Sequence, residues 1–93
     1  MVGIEAEPEY ADEVEAMLRG AQELAAQEQG TVTWFAFRES ATAFGVFDTF
    51  EGEQGRQAHL TGRIAAALRE AAQTKLRAPP VIAPVDLLGV KVS

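Results

Sequence analysis

The spacing of hydrophobic and polar positions changes period several times along the chain, and each change marks a predicted element. Residues 2–7 predict a short strand that ends at Pro8. From Glu9 the apolar residues recur at helical spacing, which predicts a first helix that stops near Gly30. The stripe that this helix should bury comprises Val14, Met17, Leu18, Ala21, Leu24 and Ala25.

The segment TVTWFAFRESATAFGVFDTF, residues 31–50, predicts a hairpin with strands at about 31–38 and 43–50 and a turn near 39–42. A strand with one solvated face alternates apolar and polar residues. This hairpin does not, because Phe35 and Phe37 lie on one face of its first strand and Trp34 and Ala36 on the other. Both faces therefore need cover. A two-residue turn would place Phe47 on the side of Trp34, and a turn one residue longer would reverse that assignment.

The second half of the chain predicts another helical region and a last strand. The region spans about 54–77, with Thr61–Gly62 expected to divide it and Pro79 to end it. Its apolar stripe comprises Leu60, Ile64, Ala67, Leu68 and Ala71. The last strand is predicted at 81–92, with an edge or a bulge at Pro84, because proline cannot donate to a ladder.

The predicted order β-α-β-β-α-β is that of the ferredoxin-like plait, an α+β fold with an antiparallel sheet and both helices on one face. We predict a single domain over residues 1–93. Because two helices cover only one face, the apolar second face predicts a homodimer in which two sheets pack into an α/β barrel.

The amino-acid composition excludes several kinds of binding partner. The net charge of −6 argues against nucleic acid or an anionic membrane, since both attract positive charge. No apolar run approaches the length of a membrane span, and Met1–Glu5 has no basic start, so we expect neither a span nor a signal peptide, and a cytoplasmic location. With no cysteine and one histidine, a typical zinc site is excluded.

Several segments in a fixed order resemble the antibiotic biosynthesis monooxygenase family, of the dimeric α/β-barrel superfamily. They are P-x-x-x-x-E-V at Pro8, EQGTVTWFAFR, FGVFDTFEGEQGRQAHL and APPVIAPVDLLGVK, and they cover nearly the whole chain. The resemblance implies a homodimer with one pocket per subunit between sheet and helices. It implies a cofactor-independent monooxygenase acting on a quinol-like or polyphenolic small molecule, although some relatives bind and degrade haem.

Five residues are predicted to form the site. His59, which follows Phe50 by nine residues as in the family, is the predicted catalytic residue, kept neutral by Arg56 and Arg63 on the same helix face. The predicted substrate-binding residues are Trp34, Phe47, Phe50 and Arg63. No metal or other cofactor is expected.

Two features of the sequence leave other functions possible. The chain has no asparagine, which oxygenase and haem-degrading relatives commonly place in the pocket. Asp48, the only carboxylate in the two strands of the hairpin, is expected to pair with Arg38 or a backbone group, or to reach the interface rim, rather than to act as a base. The alternatives are a non-catalytic homodimer that binds a small aromatic molecule and, third, a haem-binding or haem-degrading protein.

Overall fold

The computed structural model describes residues 1–91 and has a four-stranded antiparallel sheet with its helices on one face. The strand order is β2-β3-β1-β4, which confirms the predicted ferredoxin-like α+β fold. None of the helices in these residues is long and apolar enough to cross a membrane. The elements are β1 (Val2–Glu5), a short 3-10 helix (Pro8–Tyr10), α1 (Ala11–Ala26), β2 (Thr31–Arg38), β3 (Ala43–Phe50), α2 (Gly52–Leu60), α3 (Arg63–Thr74) and β4 (Val81–Ile82).

The core lies between the helices and one face of the sheet. The predicted stripe of α1 is on this side, since Val14 and Leu18 are buried and Met17 packs against the core. From the sheet, Phe44 and Val46 contribute the largest buried side chains of β3. The acidic residues in the first turn of α1 are stabilised by the positive end of the helix dipole. Pro8 begins the 3-10 turn, where the missing N–H of proline leaves no hydrogen bond unmade.

The predicted division of the second helical region is present. Gly62, in extended conformation, separates α2 from α3, and Thr61 turns its hydroxyl back onto the carbonyls of Gln57 and Ala58. Such a bond gives the backbone an alternative to continuing the helix. Because of the break, Arg63 begins a new helix and does not share a helix face with His59.

The hairpin register decides which side chains share a face. The strand bounds match the prediction, but Trp34 pairs with Asp48 and Phe35 with Phe47. Residues 39–43 lie between the paired residues Arg38 and Phe44, so of the two registers left open by the sequence the structure has the one that separates Phe47 from Trp34. Phe47 lies with Phe35 on the face away from the helices, which we call the open face.

The last strand is much shorter than predicted. It comprises Val81–Ile82, which pair with β1, and residues 83–91 form no strand. Ala83 still exchanges two backbone hydrogen bonds of 2.8 Å with Met1. Pro84 follows directly and has no N–H for a ladder, which accounts for the end of the pairing. The predicted end of this strand, Val92, lies outside the described residues.

Two glycines bring α2 against the connection between α1 and β2. A Cβ on Gly30 would lie 2.5 Å from the Cα of Gly55, and a Cβ on Gly55 would lie 2.6 Å from the Gly30 carbonyl oxygen. Neither position has room for a side chain. Gly30 was predicted only as a helix stop; its carbonyl also accepts the amide of Glu51 at 2.8 Å, just before α2 begins.

Candidate functional site

The only histidine lies at the centre of three ionisable side chains from three parts of the fold. His59 in α2 is one turn beyond Gly55, so the close glycine contact brings it to Glu28, in the connection after α1. Its Nδ1 is 2.6 Å from Glu28 Oε1, and its Nε2 is 3.0 Å from Oδ2 of Asp48 in β3. The side chains of His59 and Asp48 are only 8% and 6% exposed, and that of Glu28 is 22% exposed.

The two contacts of this Glu28–His59–Asp48 cluster differ in geometry. Nδ1 and Glu28 Oε1 form a hydrogen bond, and the Thr31 hydroxyl donates to the same oxygen at 2.8 Å. Nε2 and Asp48 Oδ2 are close enough for an ion pair, yet Oδ2 receives no hydrogen bond of good geometry. Because a carboxylate oxygen carries two lone pairs, Asp48 keeps unused acceptor capacity in a buried position.

The two carboxylates raise the pKa of His59 above its ordinary value. The contact with Asp48 is the largest cause, burial acts in the opposite direction, and Glu28 raises the pKa further. An opposite charge within a few ångströms favours the charged form of a group. The imidazole is therefore favoured as an imidazolium, and the prediction of a neutral acceptor is wrong.

The arginines that were expected to keep His59 neutral act elsewhere. Arg56 lines the same cavity as His59 but pairs with Glu53 at 3.6 Å, and Arg63 is exposed at the start of α3. Asp48 does not pair with Arg38 as expected, because Arg38 reaches Glu15 of α1 at 3.1 Å. The charges nearest the imidazole are thus both negative.

A cavity of about 390 Å³ opens beside the cluster, at the end of the sheet where β3 leads into α2. The residues that line it include Asp48 and His59, the aromatic residues Phe47 and Phe50, and the ion pair of Glu53 with Arg56. The rings of Phe50 and His59 are 5.2 Å apart between centroids, inclined at 45°. The cavity therefore combines flat apolar walls with a buried carboxylate–imidazole pair, and its size lies within the range of small-molecule sites.

The structure brings together three of the five predicted site residues. His59, Phe47 and Phe50 line the cavity of about 390 Å³. Trp34 lines a separate groove of about 340 Å³ between α1 and β2, and it packs partly against the core. Arg63 lines neither.

Glu28 was missed in the sequence. It is one of fourteen acidic residues, and several other glutamates lie in the first helical region. Its partner is 31 positions away, so no local pattern marks it. The sequence therefore contains no signal that singles out Glu28 as the partner of His59.

The raised pKa of His59 predicts how stability depends on pH. The folded protein keeps a proton that the unfolded chain releases near pH 6.5, so the stabilisation is complete below about pH 6.5 and is lost as pH rises through the higher folded pKa. Urea unfolding should therefore give a free energy of unfolding that falls as pH increases above about 6.5. His59→Gln should remove this slope. An equal slope in both proteins would contradict the assignment.

No protein-family model matches the chain, and no curated protein matches it. Among solved structures, it is 47% identical to NE2512, a protein of unknown function from Nitrosomonas europaea, with a TM-score of 0.93 over 99% of this chain and 89% of that one. It is 16% identical to PA3566 from Pseudomonas aeruginosa, with a TM-score of 0.82 over 95% and 90%. It is 18% identical to an antibiotic biosynthesis monooxygenase, with a TM-score of 0.79 over 95% of both chains. The last two likenesses show a shared fold.

Proposed function

We propose that this chain, which belongs to the same family as NE2512, is a cofactor-independent monooxygenase for a quinol-like or polyphenolic compound. It has the fold of the antibiotic biosynthesis monooxygenases. One observation carries the proposal: a cavity with aromatic walls, at Phe47 and Phe50, that contains a buried acid–base pair, Asp48 and His59. Aromatic walls suit a flat ring, and an acid–base pair suits a substrate that must lose a hydroxyl proton.

The reaction needs a group that accepts a proton and a site that excludes water. In the proposed mechanism the substrate hydroxyl gives its proton to the cluster, and the electron-rich anion passes an electron to dioxygen. The resulting radical and superoxide combine at a ring carbon and take up a proton, and the hydroperoxide then loses water, which leaves one oxygen atom on the oxidised ring. The substrate supplies the electrons, so no flavin or metal is required. Two carboxylates share one imidazolium in the Glu28–His59–Asp48 cluster, which leaves one negative charge to receive that proton. The apolar wall would protect the intermediates from water.

The proposal includes a homodimer formed through the open face of the sheet. Phe35 is 56% exposed there and Val81 is 66% exposed, while Phe37 covers Gly45 beside them. The helices cover the opposite face, so these side chains have no cover within the described part of the chain. Apolar patches of this kind mark interfaces, and a second copy offers the same apolar face by symmetry.

A second candidate function is non-catalytic binding of a small aromatic molecule. Both ring nitrogens of His59 contact a carboxylate, so the imidazolium has no free lone pair that could accept a substrate proton. This observation favours the binding function. The same contacts weigh against haem ligation, because an iron would have to displace Glu28 or Asp48 from the imidazole.

Oxygen uptake with a panel of quinols, without added metal or flavin, separates the two candidate functions. An enzyme should consume oxygen saturably, and Asp48→Asn should slow uptake by about 10²-fold or more if the carboxylate takes part in proton transfer. Asp86→Asn is the matched control, because it makes the same chemical change at an exposed position outside the cavity wall. Saturable binding with no uptake from any quinol would leave the binding function and exclude the oxygenase.

A further inference from the structure

Two buried side-chain polar atoms in residues 1–91 lack a hydrogen-bond partner, and they belong to directly paired residues. They are Oδ2 of Asp48 and Nε1 of Trp34, two residues that pair across β3 and β2 on the helix side of the sheet. Buried polar groups without partners are rare, because each costs about 1–3 kcal/mol. One is an acceptor and the other a donor, and paired residues lie close together.

The position of Asp48 indicates what would complete its hydrogen bonding. Its side chain is 6% exposed and it lines the cavity of about 390 Å³, whereas Trp34 lies behind it, toward the groove at α1. His59 neutralises charge at Oδ2 without a well-directed hydrogen bond. A carboxylate can only accept, so a donor that enters from the cavity would complete the hydrogen bonding of Oδ2.

We infer that Asp48 determines ligand specificity by accepting a hydrogen bond from a hydroxyl on an aromatic ring, with Glu28 acting as a positioning residue that holds His59 against it. The inference rests on the proposed function for the location of the ligand. A hydroxyl fits this site because its O–H can donate to the carboxylate from the cavity. The methyl ether of the same compound has lost the donor and would leave Oδ2 without a partner.

The positioning role of Glu28 follows from the contacts of the imidazole. Glu28 Oε1 is bound by Nδ1 at 2.6 Å and by the Thr31 hydroxyl at 2.8 Å, so the ring is oriented from the side away from the cavity. Glu28 does not line the cavity. Without it, His59 would be free to turn, and Asp48 would lose the cation that neutralises it in its buried position.

Anaerobic titration calorimetry with a phenol and its methyl ether tests the inference without turnover. The wild-type protein should bind the phenol about 10- to 100-fold more tightly than the ether, the range expected for a hydrogen bond to a charged group. Asp48→Asn should reduce this preference several-fold or more, and Asp86→Asn should leave it unchanged.

The Glu28→Gln variant distinguishes positioning from general damage. It should keep a detectable phenol preference while the pH at which His59 titrates, followed by NMR of the imidazole protons, falls. An unchanged titration would remove Glu28 from the proposal.

The remaining outcomes are also decisive. Equal affinity of phenol and ether for the wild-type protein would overturn the role of Asp48 while leaving the oxygenase proposal to the uptake assay. Failure of every phenol to bind would overturn both. Because the comparison of the two ligands uses only the wild-type protein, it stands even if Asp48→Asn does not fold.

Discussion

His59→Ala is expected to lower the free energy of unfolding by about 3–5 kcal/mol, the cost of removing one partner from a buried ion pair. The substitution leaves Asp48 and Glu28 without the cation between them, in a region where Asp48 is 6% exposed. It also removes the ring that packs on Phe50. A domain of this size has roughly 5–15 kcal/mol of stability in total, so the loss is a large share of it. Chemical denaturation followed by circular dichroism measures it.

Gln57→Ala provides the control for that measurement, since Gln57 is exposed on the same helix and alanine suits a helix well. A second variant tests the cause of the loss. Asp48→Asn should cost less in the His59→Ala background than in the wild-type protein, because the carboxylate then has no counter-charge to lose. A loss below about 1 kcal/mol in His59→Ala, typical of an exposed ion pair, would show that the cluster is solvated.

Phe35→Asp is expected to weaken self-association by at least about 100-fold, which corresponds to roughly 3 kcal/mol. In the proposed homodimer this side chain meets the sheet of the second copy, and a buried carboxylate without a partner is strongly unfavourable there. Phe35 is already 56% exposed within one chain, so the substitution should leave the fold of the subunit intact. Sedimentation velocity over a concentration series measures the change in the dissociation constant.

Val32→Asp is the matched control for the interface. Val32 is also in β2 and is 63% exposed, but it lies at the bulge and lines a groove shared with Ala25 and Ala26 near the end of α1. The same charge there should leave the dimer unchanged. A wild-type chain that sediments as a monomer at micromolar concentration would remove the homodimer from the proposal, as would equal weakening by both substitutions.

Local periodicity is enough to predict much of the fold. The stripe of α1, with Val14 and Leu18 buried, follows from helical spacing alone, and the strand bounds of the hairpin follow from its apolar residues and turn. The break at Gly62 also has a local cause, because a glycine after a threonine is a poor continuation of a helix. These features depend on residues that are close along the chain, so they can be predicted without knowledge of the tertiary structure.

The tertiary structure alone decided the pairing across the hairpin and the partners of His59. One residue more or less in the turn moves Phe47 from the face of Trp34 to the other, and local propensity does not separate these registers. Glu28 reaches His59 only because two glycines, 25 positions apart, let α2 lie against the connection after α1, and this approach is set by packing. The sequence could therefore identify His59 as a candidate site residue, but not the two carboxylates that contact it in the folded protein.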